Sequence, residues 1–124
     1  MPYQYYNPNP SGRRVDDCVV RAISKLFDIS WEEAYDEVAR EGAMMHNMPS
    51  ANEVWGQYLR EHGYSRYTLP NTCPHCTTIS EFCKQHPYGR YALCTGTHVV
   101  AVIDGYYFDT GDSGDEVIAY FYER

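Results

Sequence analysis

Three residues of this chain, Cys18, His98 and Asp109, could together make a reactive thiol. A free cysteine has a pKa of ~8.5 and is mostly inert at neutral pH. A helix N-terminus or an adjacent imidazolium can lower that value by several units. Cys18 opens a run in which Val19, Ala22, Ile23 and Leu26 recur at i, i+3, i+4 and i+7, the stripe of an amphipathic helix. The thiol therefore stands at the end of the helix where partial positive charge collects.

His98 and Asp109 lie on either side of Asp104-Gly105, the strongest hairpin signal in the chain. A two-residue loop there pairs Ile103 with Tyr106. His98 then faces Gly111, and Asp109 faces Val100. Side chains alternate along a strand, so His98 and Asp109 share one face as diagonal neighbours, roughly 7–8 Å apart at the backbone. That separation is within reach of an imidazole–carboxylate hydrogen bond. Asp112 pairs opposite Thr97 on the other face, so parity selects Asp109 as the group that orients the imidazole. Asp16 and Asp17 oppose ionisation of the thiol unless their carboxylates turn to capping or to solvent.

The elements that must carry these groups are legible in outline. Residues 1–14 hold three prolines and read as an irregular arm. Asp16 or Asp17 can cap a helix from Cys18 to about Phe27. Ser30 with Glu33 forms a capping box for a second helix through Arg40, with Gly42 just past its end. Ser50 with Glu53 repeats the device for a third helix, stopped by Gly63. Tyr64 to Leu69 reads as a strand, and Pro70 to Pro74 as a turn. Thr78 with Glu81 opens a short helix that Pro87 closes. Tyr91 to Cys94, His98 to Ile103, Tyr106 to Thr110 and Val117 to Tyr122 read as four strands. Helices first and strands last predict one α+β domain over residues 1–124, its C-terminal sheet antiparallel.

Composition narrows the function. The chain has 124 residues, 44% of them hydrophobic, enough for one core. Its net charge of −7 is the wrong sign for a phosphate backbone, which argues against nucleic acid and anionic membranes as partners. The longest aliphatic run, Val99 to Ile103, is far too short to span a bilayer. The polar, proline-broken start does not read as a secretory signal. Five cysteines without such a signal predict free thiols or metal ligands, not a disulfide framework, in a reducing compartment, the cytoplasm.

Other features have plainer readings beside sharper ones. Cys73 and Cys76 form a CxxC, and Cys83 with His86 follows on the short helix, so the four could hold a tetrahedral zinc ion. The plainer reading, two turn thiols with a core cysteine and a helix-end histidine, is preferred, and no cofactor is predicted. Met44, Met45 and Met48 read as a core plug. Trp31 and Trp55 read as core packing.

The segment Asp17-Cys18-Val19-Val20-Arg21-Ala22-Ile23 resembles the nucleophile helix of papain-like cysteine peptidases. Thr97-His98-Val99-Val100-Ala101-Val102-Ile103-Asp104-Gly105, followed by Tyr107-Phe108-Asp109, is similar to that superfamily's histidine strand and the next strand, which carries Asp or Asn. More closely, the chain resembles small uncharacterised papain-like proteins of bacteriophages and their Gram-positive hosts, over Asn9 to Ile23, Met48 to Gly63 and Gly89 to Ser113. The resemblance implies a papain-like fold with Cys18 as nucleophile, His98 as general base and Asp109 as third member. It implies cleavage of an amide or isopeptide bond in a peptide or protein substrate, by a peptidase or a related thiol acyl-transfer enzyme. Such enzymes place a glutamine a few residues before the cysteine to stabilise the oxyanion; Gly12 stands there in this chain. Asn9 is the nearest upstream amide, and the Cys18 N–H could supply one donor. That departure keeps an alternative open: a catalytically weak or inactive papain-like module that binds a host protein in the bacterial cytoplasm.

Overall fold

The structure is a computed structural model that describes residues 2–69 and 76–124. Among the described residues, four helices precede or interrupt a six-stranded mixed sheet. The helices are α1 (Cys18–Phe27), α2 (Trp31–Met44), α3 (Asn52–Glu61) and α4 (Ile79–Gln85). The strands are β1 (Tyr3–Tyr5), β2 (Ser65–Thr68), β3 (Arg90–Cys94), β4 (Val99–Ile103), β5 (Tyr106–Asp109) and β6 (Tyr120–Glu123), in the order β1-β5-β4-β3-β6-β2. The class is α+β. No described helix is long and apolar enough to cross a membrane.

Alternation along the central strands divides the core in two. Val99 and Ala101 of β4, with Ala92 and Cys94 of β3, pack against α1, α2 and α3. Val100 and Val102, with Tyr91 and Leu93, pack against Ile79, Phe82 and Cys83 of α4. A strand buried on both faces needs an unbroken apolar run, which is why Val99–Ile103 carries no polar residue. The stripe read on α1 is buried as expected: Val19, Ala22, Ile23 and Leu26 are each at most 7% exposed.

Several boundaries differ from the sequence reading, each for a local reason. The arm over residues 1–14 is not wholly irregular, because Tyr3–Tyr5 forms β1, parallel to β5. With β1 and β2 at its edges, the sheet is mixed and draws on the whole chain, where an antiparallel C-terminal sheet was expected. Helix α2 runs through Gly42 to Met44. A Cβ on Gly42 would meet the Asn47 carbonyl oxygen at 2.7 Å, so this glycine serves a close backbone approach, not a helix end. The Ser50–Glu53 capping box does not form. Ala51 is the N-cap of α3, and the Asn47 amide donates to the Glu53 carboxylate instead. Ser30 caps α2 by accepting from Glu33 N–H, and Thr78 with Glu81 makes the full reciprocal box. Val117 makes only an isolated bridge with Thr78, and the last strand starts at Tyr120.

Candidate active site

The β4–β5 hairpin has the register read from its turn. Ile103 pairs with Tyr106, Val102 with Tyr107 and Ala101 with Phe108. Asp104 and Gly105 both have positive φ, +50° and +82°, as a two-residue turn between right-twisted strands requires. His98 lies just ahead of β4 and Asp109 ends β5, so the pair meets at the margin of the sheet. The His98 Nε2–H donates to Asp109 Oδ2 at 2.6 Å. The turn before His98 is closed by Thr95 N–H donating to the His98 carbonyl at 3.0 Å, with Gly96 at φ +105°. Histidine is thus fixed at its backbone by that hydrogen bond and at its ring by a carboxylate.

Cys18 is half-buried at the first position of α1 and reaches the same margin. His98 and the backbone N–H of Val99 lie close enough to its sulfur to favour the thiolate. With Nε2 engaged by Asp109, Nδ1 is the ring nitrogen left to serve the sulfur. Burial pushes the Cys18 thiol up. The donors of His98 and Val99, with the charges of His98 and Arg21, outweigh it and hold the pKa below the ordinary value. His98 is pushed up to about 10, first by its hydrogen bond to Asp109 and next by Cys18, against a lowering by burial. Asp109 is 3% exposed. Burial raises it, but the bonds from His98 and Ser113, the His98 charge and the Thr110 N–H keep it lowered. All three shifts favour one state: thiolate, imidazolium and carboxylate.

Asp109 accepts two donors on each oxygen. Arg21 Nη2 and Thr110 N–H reach Oδ1 at 3.0 and 2.8 Å; His98 Nε2 and Ser113 Oγ reach Oδ2 at 2.6 and 2.7 Å. Arg21, 4% exposed, also donates through Nη1 to Asp17 Oδ1 at 2.5 Å. Asp17 turns neither to capping nor to solvent, the two outcomes its position suggested. Its Oδ2 accepts from Trp31 Nε1 at 2.9 Å and Asn9 Nδ2 at 3.4 Å, and it makes no side-chain cap on α1. Its charge is thus paired with Arg21, and the first turn of α1 keeps its N–H groups free of a carboxylate cap.

The thiol opens into a cleft of about 850 Å³, within the usual range for ligand sites. Its lining includes the apolar side chains of Trp31, Tyr35, Val38 and Pro49, together with Gly96 and Thr97. Trp31 and Tyr35 stack at a centroid distance of 5.2 Å. Trp31 is thereby a cleft residue rather than only core, whereas Trp55 is core, 1% exposed. Met44 and Met48, read as a core plug, are 66% and 67% exposed. Asn9 is committed elsewhere: its amide donates to Asp17, and its Oδ1 accepts from Ser11. Asp112 lies beyond the end of β5 and is not paired with Thr97 as expected; it accepts from the Tyr107 hydroxyl and Gly114 N–H.

Of the four residues considered for zinc, Cys73 lies outside the described residues. Cys83 is buried among apolar side chains, which push its thiol up to about 11, and His86 Nδ1 bonds the Phe82 carbonyl while its ring stacks on Phe82. Among the described residues, no group of three or more His, Cys, Asp or Glu could hold a metal ion.

Arg21, Ser113 and the Asp17 side chain were not read as site residues from the sequence. The i,i+4 spacing of Asp17 and Arg21 was a visible signal for an ion pair, but not for a buried one. Comparison with protein-family models, curated proteins and solved structures finds no match to this chain. Any functional reading rests on the geometry itself.

Proposed function

We propose that this chain is a papain-like cysteine peptidase, or a related thiol acyl-transfer enzyme, that opens an amide or isopeptide bond of a peptide or protein substrate. One observation carries the reading: His98, its ring held by the Asp109 carboxylate at 2.6 Å, lines the same open cleft as Cys18, near enough to favour the thiolate. The Cys18 thiolate attacks the carbonyl carbon, and its electrons move onto the oxygen. In this reading the Cys18 backbone N–H, at the start of α1 that no side chain caps, receives that oxyanion. As the C–N bond breaks, imidazolium Nδ1–H of His98 gives its proton to the leaving amine, and a thioester remains. Neutral His98 then takes a proton from water, whose oxygen attacks the thioester and releases the acid and the Cys18 thiolate. Asp109 holds the ring in place and stabilises its charged form throughout. The proposed setting is the cytoplasm of a bacterial host.

A second reading has one observation in its favour. Asn9 spends its amide on Asp17, so the side-chain donor expected near the oxyanion is engaged elsewhere, and a module that binds without turnover would need none. Two measurements separate the readings. At pH 7, iodoacetamide should label Cys18 well ahead of Cys76, Cys83 and Cys94, and His98→Ala should remove that lead. With p-nitrophenyl acetate, the enzyme reading requires a burst of p-nitrophenol and an acetyl group on Cys18 by intact mass. Labelling of all accessible thiols at one rate, or no burst above that of Cys18→Ala, would defeat it.

A further inference from the structure

We infer that Arg21 is a positioning residue for the proposed reaction, holding Asp109 by one arm and Asp17 by the other so that the carboxylate aims at His98. The inference rests on the reading of Cys18, His98 and Asp109 as the reacting set, and it adds a residue that the thiol chemistry does not itself require. The side chains form a continuous line. Asp17, anchored by Trp31 and Asn9, accepts from Arg21 at 2.5 Å; Arg21 donates to Asp109 at 3.0 Å; His98 donates to Asp109 at 2.6 Å and lines the cleft beside Cys18. In the reactive state the charges alternate along it: minus, plus, minus, plus, minus.

Two properties of that line make Arg21 more than a buried ion pair. A guanidinium is a planar fork, so one residue can bond two carboxylates in fixed directions, which the single ammonium of lysine cannot do. Arg21 also occupies Oδ1 of Asp109, leaving Oδ2 for His98 and Ser113. Without the arginine, Asp17 and Asp109 would be two buried carboxylates with no guanidinium between them, Asp17 left with only the neutral donors Trp31 and Asn9. One of them would then tend to hold a proton. A protonated Asp109 no longer keeps the imidazole charged, and the thiolate loses its partner. Of the other ionisable side chains nearby, Arg14 and Asp16 ahead of α1 and Tyr35 of α2 line the same cleft, the Tyr3 hydroxyl of β1 donates to the Asp109 carbonyl, and Asp112 beyond β5 lies close enough to Asp109 to feel its charge.

The test is the pH profile of Cys18 alkylation by iodoacetamide, followed by peptide mass spectrometry in the full chain. Arg21→Met alone strands two buried acids, so the decisive variant is Arg21→Met with Asp17→Asn, which removes one charge of each sign and keeps the volumes. Positioning predicts a folded protein whose Cys18 inflection moves up by about one pH unit, with labelling at pH 6 slowed about tenfold. Arg21→Lys, which keeps the charge and loses the fork, should move it part of the way. A double variant that melts cooperatively and keeps the wild-type profile overturns the proposal, as does a wild-type profile in Arg21→Lys. If neither variant folds, Arg21 is a structural residue and the positioning role is rejected. An unactivated Cys18 in the unaltered chain is a separate result, which defeats the proposed function itself.

Discussion

At the scale of single residues, the Asp109 carboxylate explains why an imidazole at the edge of a sheet carries a charge. Four donors satisfy its lone pairs, so it stays ionised although buried, and an ionised carboxylate beside His98 favours imidazolium. The pH dependence of folding follows with a definite sign. His98 has a folded pKa of about 10 against an ordinary 6.5. Its contribution to stability is therefore full below pH 6.5 and is lost as pH rises through 10. Cys18 acts oppositely: its thiolate contributes above the ordinary thiol value and the contribution fades as pH falls through the lowered one. Denaturant unfolding of Cys18→Ala, which leaves the larger cause on His98 (Asp109) intact, should show stability declining from pH 7 to pH 10. Adding His98→Ala should flatten that decline. An equal slope in both proteins would mean that the imidazolium is not stabilised by the fold.

At the scale of elements, two short features set the geometry: the start of α1 and the turns around β4. Asp17 gives its carboxylate to Arg21 and Trp31 instead of capping α1, which leaves the helix terminus to the thiol and to whatever negative charge develops above it. Helix α2 shows the same dependence on close packing. Gly42 sits where the loop after the helix folds back, with Asn47 O at 2.7 Å and Pro49 N at 3.2 Å from a hypothetical Cβ. Both atoms are backbone and cannot swing aside. Gly42→Ala should destabilise the fold by about 1–3 kcal/mol, as overpacking does, and a thermal melt would measure it. Because Pro49 lines the cleft, the same variant should also alter Cys18 labelling. An unchanged midpoint would show that the loop has room to move.

At the scale of the whole molecule, the N-terminal strand and the C-terminal hairpin are one unit. β1 pairs parallel with β5, Tyr5 beside Asp109; Tyr6 N–H donates to the Asp109 carbonyl at 2.9 Å, and the Tyr3 hydroxyl donates to it at 3.2 Å. The arm thus clamps the backbone of the residue whose side chain aims the histidine. Deleting residues 1–5 should lower the melting temperature. It should also reduce the lead of Cys18 over the other thiols in iodoacetamide labelling, even in protein that remains folded. A shortened chain with the full lead would show that the hairpin alone fixes Asp109. The core itself is anchored on the other side by Trp55, stacked near Tyr120 and edge-on to Tyr122. Trp55→Ala should cost about 3–5 kcal/mol in denaturant unfolding, the usual figure for emptying a large aromatic site. A loss below about 1 kcal/mol would contradict that anchoring role.

Local rules were enough for much of this protein. The apolar spacing that buries one face of α1, the Asp104-Gly105 turn and the register it sets all act within a few residues, so the chain order alone carries them. The register was readable as far as Ala101–Phe108; His98 and Asp109 meet just beyond that last pair, on the same hairpin. Contacts that join distant segments were not readable. Nothing local says that Tyr3–Tyr5 adds a strand beside β5, that Gly42 stays inside a helix, or that Arg21 is buried between two acids 92 residues apart, Asp17 and Asp109. Each depends on which surfaces meet when the core closes. The sequence determined the reactive types and the hairpin that pairs two of them. Only the packing of α1 against β4 decided that the thiol stands at the end of that hairpin, because a contact between elements depends on the shapes of both.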